Sequence, residues 1–132
     1  MFLVWHPWKY AEMLGKLIDE HESRVWLVNT GWTGGPYGTG HRMKLRHTRA
    51  MVRAALAGDL DSAKYTTDPV FGLSIPTSVP NVPGEVMNPR NTWPDGAAYD
   101  AQAKKLAGMF AKNFEKFGSN VPDAIRTAGP KG

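Results

Sequence analysis

"VWLVNTGWTGGPYGTGHRMKLRHTRAM", residues 25 to 51, decides how this chain of 132 residues is read. It opens with four apolar residues, Val25 to Val28, bounded by Asn29 and Gly31, the pattern of a short buried strand. Glycine then takes five of the ten positions from 31 to 40 (31, 34, 35, 38 and 40). Glycine reaches positive φ and lets backbone approach a ligand closely. Arg42, Lys44, Arg46, Arg49 and Arg53 follow, with no acid between 31 and 58. Successive amides in such a loop can form an anion nest, and a following helix N-terminus adds a favourable field. Helix, strand and glycine loop in that order suggest an α/β plan, in which ligands gather beyond the carboxyl ends of strands.

Two standard motifs fail on inspection. The phosphate loop G-x-x-x-x-G-K-[ST] is almost met by Gly35 to Gly40, but His41-Arg42 stands where Lys and Ser/Thr belong. A dinucleotide G-x-G-x-x-G starting at Gly38 breaks at Met43, its third glycine position. The bland alternative is a flexible loop beside solvated cations, and glycine content alone does not choose between the two.

Working outward, Pro7 suits the first turn of a helix whose apolar face is Tyr10, Met13, Leu14, Leu17 and Ile18. Residues 2 to 5 read as a short buried strand or an extended lead-in. "RMKL", 42 to 45, reads as a second strand. Thr48 then stands at a helix N-cap, with Met51, Val52, Ala55 and Leu56 as the apolar face and Gly58 as the stop. Residues 65 to 96 hold six of the ten prolines, so that stretch is not helical throughout. Its "VFGLSIP" can pair at a sheet edge, and the rest is expected to be ordered irregular chain. A long helix follows from about 97 to 117, with Tyr99, Leu106, Met109, Phe110, Phe114 and Phe117 on one stripe that reads as core. Gly118 is its stop, and 121 to 128 adds a short terminal helix. The fold class expected is mixed α/β (α+β): one domain over 1–132, helices on a small mixed sheet, and a long proline-rich irregular segment.

Composition narrows function. Net charge is +4 and the pI about 9.5, compatible with anionic ligands and weak support for nucleic acid. Without cysteine there is no disulfide framework and no thiolate zinc site, which fits a reducing cytoplasm. "MFLVWHP" is too short and wrongly flanked for a signal peptide, and no apolar run approaches the roughly 20 residues that cross a bilayer. No metal ligand set stands out. His6 and His21 read as helix-end residues, His41 and His47 are too weak a pair for a shared metal, and Asp59 and Asp61 read as solvated turn residues. A small nucleic-acid binder, with Trp32 and Tyr37 stacking beside Arg42 to Arg53, is a third class that this basic helix face supports poorly.

The wording of these residues carries more than their composition. Residues 25 to 51, "HPWKYAEML" before them, and "TTDPVFGLSIPTSVPNVP", "NPRNTW" and "AGPK" after them resemble, in order, the carboxyl-terminal part of ATP-dependent phosphoenolpyruvate carboxykinase. The resemblance implies an enzyme that decarboxylates oxaloacetate and phosphorylates the enolate from ATP, with two metal ions, usually magnesium and manganese. The family's "G-T-G-x-R" arginine falls on Arg42, its neighbour in the same wall on Met43, and the nucleotide-contacting threonine on Thr48. His41 stands where relatives commonly carry lysine or arginine, so charge there depends on pH. The true phosphate loop, the metal-binding residues and the arginine that grips oxaloacetate lie upstream in the family, and none of those motifs occurs here. Arg90 and Trp93 of "NPRNTW" receive no role.

The expectation is therefore a nucleotide-binding portion without a catalytic residue or a metal ligand of its own, inactive alone. Charge-assisted hydrogen bonds contribute roughly 1.5–3 kcal/mol each against roughly 4–15 kcal/mol for immobilising a ligand. Two or three such bonds leave ATP affinity no better than about millimolar. The alternative is an interaction module that has lost its chemistry. Tryptophans that pack on an absent part would leave apolar surface, giving self-association, with "MFLVWHP" the stickiest segment. The expected partners are ATP and the missing amino-terminal part of the enzyme.

Overall fold

The computed structural model describes residues 4–29, 31–117 and 121–131. The first residues of the expected strand at 2 to 5 and the Gly118 stop lie outside them. Helix α1 spans Pro7–Glu20, with proline at its first position and the His6 Nδ1 accepting from the Trp8 N–H at 3.2 Å. His6 is thus a cap, and His21 ends the helix, as both were read.

The chain from 21 to 29 has no regular structure, which corrects the strand expected at Val25–Val28. Val25 is 63% and Leu27 82% exposed, and only Trp26 turns inward, stacked on Tyr65 with ring centroids 6.4 Å apart. An apolar run becomes a strand only where a neighbour takes its backbone hydrogen bonds, and no described residue does.

Strands β1 (Trp32–Thr33) and β2 (His41–Arg42) form an antiparallel hairpin around the glycine loop. Strands β3 (Tyr65–Thr67) and β4 (Ser74–Pro76) form a second, with the Asp68 carboxylate accepting from the Val70 and Phe71 N–H groups at their turn. β4 bears out "VFGLSIP" as a pairing segment. Mixed helix and strand content is as expected, but the single mixed sheet is replaced by two separate two-stranded ribbons among the described residues.

Helix α2 spans Leu45–Ala57, and Gly58 closes it at φ 79° with its N–H on the carbonyls of Ala54 and Ala55. Its inward face is His47, Met51, Ala54 and Ala55, while Leu56 is 84% exposed, so the expected face is rotated. Ala54, Leu60 and Val79 make the core, with Trp26, Met51, Ala55, Val82 and Met87 around it. The proline-rich stretch holds two short helices, α3 (Gly84–Met87) and α4 (Pro89–Thr92), where irregular chain was expected.

Helix α5 (Gly96–Phe114) starts at Asp95, whose carboxylate accepts from Ala97 and Ala98, and ends in a 3-10 turn, Glu115–Phe117. Its buried residues are Ala103 and Ala107; Leu106, Met109 and Phe110 are exposed, which corrects their reading as core. Small side chains lie on the close-packed side, and the bulky stripe is displaced to its flank. Helix α6 (Asp123–Arg126) is the expected terminal helix.

The chain exposes 10201 Å², against about 6,900 Å² for a compact monomer of 14.5 kDa. Much of the excess is apolar. In α1 no residue is buried, and Met13, Leu14 and Leu17 are 55%, 59% and 50% exposed. Of the five tryptophans, Trp5 and Trp32 are exposed and the other three half-buried on their own chain. No helix among the described residues is long and apolar enough to cross a membrane.

Candidate functional site

The glycine hairpin is shaped by its own backbone. Gly34, Gly35 and Gly38 adopt φ of 77°, 146° and 93°, where other residues are strained. Gly40 is required for space: a Cβ there would lie 2.5 Å from the carbonyl oxygens of both Thr33 and Gly35. The Pro36 carbonyl accepts from the Thr39 and Gly40 N–H groups at 3.0 and 2.9 Å and closes the tip.

The register pairs Trp32 with Arg42 and Thr33 with His41. Opposite residues of an antiparallel pair share a face, so the hairpin has two unlike sides. On one, the Thr33 hydroxyl lies 3.2 Å from that of Thr92, which also accepts from the Gly34 N–H at 3.2 Å and donates to the Pro89 carbonyl at 2.7 Å. On the other side Arg42 is exposed.

Thr92 therefore moors the glycine loop to α4, a role the sequence reading missed. The signal was present: Asn88-Pro89 is a helix-start pair, and Asn88 caps α4 through the Arg90 N–H. Arg90 and Trp93 brace the same region. Arg90 pairs bidentately with Asp100 on α5 at 2.8 and 3.0 Å, and Trp93 meets Tyr99 edge-on at 5.6 Å. The hydrogen bond and charge of Arg90 hold the Asp100 carboxyl below its ordinary range, and Asp100 raises Arg90 in turn. Burial pushes the Tyr99 hydroxyl up, with Asp68 and Asp100 adding to it.

Arg42, Met43 and Thr48 lie along one strand-to-helix segment. Arg42 ends β2; Met43 is half-buried, its N–H donating to the Gly31 carbonyl at 3.0 Å. Thr48 is half-buried inside α2 and is not its N-cap, which is Lys44. The Met43–Gly31 bond fixes where the chain leaves the hairpin, and Lys44 O at once accepts from His47 and Thr48 at 2.9 and 3.4 Å, so the helix begins four residues earlier than expected. The strand expected over 42 to 45 is likewise moved to His41–Arg42.

The ion pairs among the described residues are Lys9–Glu12, Arg24–Asp61, Arg90–Asp100 and Arg126–Asp123. None engages the cations from 42 to 53, while Asp61 is a partner of Arg24 and more than a solvated turn residue. His47 is 6% exposed with its Nδ1 unpartnered, a burial the sequence reading did not foresee. Among the described residues no three His, Asp or Glu side chains gather to hold a metal, so the residues present do not fit the magnesium and manganese of the resemblance.

A cavity of about 530 Å³ lies along α2 between Arg46, Arg49, Arg53 and Asn81. At 100° per residue these arginines leave the flank of α2 opposite Thr48, and the lining includes none of Arg42, Met43 and Thr48. A second of about 450 Å³ separates α1 from Phe114, Phe117, Val121 and Ile125. The first gathers polar groups apart from Arg42, Met43 and Thr48, the second is mostly apolar, and the exposed hairpin remains the candidate site.

The sequence profile of phosphoenolpyruvate carboxykinase matches residues 1–85. The chain is 58% identical over 129 residues to phosphoenolpyruvate carboxykinase (ATP) 2 of Moorella thermoacetica, covering 98% of this chain and 24% of that protein. It is 59% identical over 130 residues to phosphoenolpyruvate carboxykinase (ATP) of Brevibacillus brevis, covering 98% and 24%. With that of Lysinibacillus sphaericus it shares 62% over 120 residues, covering 91% and 22%. It thus spans about a quarter of the length of these relatives. The profile match runs through α1, the glycine hairpin, α2 and both β3 and β4, and the chain belongs to the phosphoenolpyruvate carboxykinase family.

Proposed function

We propose that this chain is the carboxyl-terminal, nucleotide-facing portion of an ATP-dependent phosphoenolpyruvate carboxykinase, an enzyme of gluconeogenesis in the cytoplasm. The reaction breaks the bond from oxaloacetate to its departing carboxylate, releasing carbon dioxide. The resulting enolate oxygen attacks the terminal phosphorus of ATP, and ADP leaves. Phosphoryl transfer of this kind depends on positioning and on neutralising charge on the phosphate oxygens.

Arg42 supplies positive charge from the end of β2, with Met43 and Thr48 lining the same nucleotide wall. The observation that carries this is the hairpin: three positive-φ glycines and a space-restricted Gly40, moored through Thr92, hold an exposed arginine with no acid partner among the described residues. The chain offers no metal ligand set among those residues, and no catalytic step is assigned to it. The rest of the family's length supplies those groups and covers the apolar face of α1. Without it that face drives self-association.

Calorimetry with ATP tests the site. The expected outcome is affinity near or weaker than about millimolar, abolished by Arg42→Ala. Micromolar affinity, or binding indifferent to Arg42→Ala, contradicts it. The second reading, an interaction module without catalysis, is favoured by the large exposed area, and heat on mixing with an enzyme of the family but none with ATP would select it.

A further inference from the structure

Arginine recurs in α2 at 46, 49 and 53, spacings of three and four that put all three on one flank of a helix. Alanine recurs beside them at 50, 54 and 57, at spacings of four and three. At 100° per residue the alanines form a strip between the arginine row and the inward face of His47, Met51 and Ala55. The two rows line one side and the floor of the 530 Å³ cavity, and Pro80 with Asn81 line the other side.

Both sides are held by the same core. Ala54 and Val79 are buried together with Leu60. The Val79 carbonyl accepts from the Val82 N–H at 3.1 Å, closing a turn that keeps Asn81 at φ 63°. The groove is therefore formed before anything enters it, which lowers the cost of binding.

Its charge is one-sided. All three arginines are exposed, and no ion pair among the described residues engages them. The one carboxylate of the lining, Asp59, stands just past the end of α2. Arginine beside an apolar centre is the composition of a protein–protein interface. A phosphate chain gains from the cations and nothing from alanine methyls, whereas a packed helix gains from both. Small side chains let two helix axes approach closely. Arg46 and Arg53 lie about 10 Å apart along the axis, two helical turns, and acids seven residues apart on a second helix repeat at that same distance.

We propose that this groove docks an acidic amphipathic helix of a partner protein, running antiparallel to α2. Carboxylates at i, i+4 and i+7 meet Arg53, Arg49 and Arg46 in turn, and small residues lie on the alanine strip. A basic residue ahead of them faces Asp59. The antiparallel sense also opposes the two helix dipoles favourably. The docking depends on neither Arg42 nor any nucleotide, because the lining includes none of Arg42, Met43 and Thr48.

The probe is a fluorescein-labelled alanine-based peptide of about twenty residues, with glutamates at i, i+4 and i+7 and a lysine ahead of them. Its anisotropy is followed as the 132-residue chain is added, beside a peptide of the same composition with the glutamates spread around the helix. Saturable binding of the first peptide is expected, at least about tenfold tighter than the second. Reversing charge in Arg46→Glu with Arg53→Glu is expected to weaken it at least about tenfold. Ala57→Trp fills the floor without changing charge and is expected to weaken it as much; all three positions are exposed, so the fold is kept. Equal binding of the two peptides, or binding indifferent to Ala57→Trp, shows attraction without docking and overturns the proposal, as does no binding. Inorganic polyphosphate bound where the peptide is not puts a phosphate chain in the groove. Oligomers of the chain that disperse in Ala57→Trp put a second copy there; either result overturns the proposal.

Discussion

Helices α1 and α2 carry comparable apolar faces in sequence and meet opposite fates. α2 buries His47 and Ala54 and contributes Met51 and Ala55 to the cluster around Leu60 and Val79. α1 buries nothing, and Met13, Leu14 and Leu17 stand half or more exposed. The difference lies in where the partner is encoded. Leu60 and Val79 lie within about thirty residues of α2, whereas no described residue buries Tyr10, Met13, Leu14 or Leu17. Periodicity reports that a face wants covering and says nothing of what covers it. The excess area, about 3,300 Å² over a compact monomer of this mass, is larger than the roughly 1,000–2,500 Å² that one partner contributes to a typical obligate interface.

The sharpest way to break this contrast is to truncate one residue from each side. Leu60→Ala, at a site 4% exposed, is expected to cost about 2–5 kcal/mol in denaturant unfolding. Leu14→Ala on α1 is expected to change stability by less than about 0.5 kcal/mol. Equal losses would mean that α1 is already packed in the isolated chain.

Association gives the next effect in size. Leu14→Asp puts a charge on the open face while removing no core contact. Sedimentation of the parent chain is expected to show oligomers that this variant disperses. A parent that stays monomeric at high concentration counts against an exposed docking face.

The smallest effect sharpens the packed side, where Arg90 and Asp100 tie α4 to α5. The Asp100 carboxyl is held below its ordinary range in the folded chain. Its contribution is therefore fully present above the unfolded value of about 4 and is lost as pH falls through the depressed folded value. Asp100→Asn should remove that slope from acid unfolding curves and change little at neutral pH, since both partners are solvated. A parent and variant with parallel acid profiles would show that the pair does not brace α4.

What the sequence made legible is what local chemistry fixes. Pro7 and His6 set the start of α1, Gly58 the end of α2, and the glycines of 34 to 40 a positive-φ loop. What it hid depends on neighbours distant in the chain. Val25–Val28 reads as a strand but has no pairing partner among the described residues. Thr48 reads as a cap until the Met43–Gly31 hydrogen bond fixes an earlier helix start. Thr92 is 59 residues from Thr33, and only the folded chain brings the two hydroxyls together. Of the site, Arg42, Met43 and Thr48 came from resemblance, whereas the pairing of Trp32 with Arg42 came from the hairpin register.

The central claim is that this chain presents nucleotide contacts while the groups for metal and keto acid belong to the rest of the family's length. It is tested most directly by assaying the purified 132-residue chain for phosphoenolpyruvate formed from oxaloacetate and ATP with magnesium and manganese present. No product above the enzyme-free rate is expected. Turnover that disappears in Arg42→Ala, purified in parallel to rule out host enzyme, would contradict the claim.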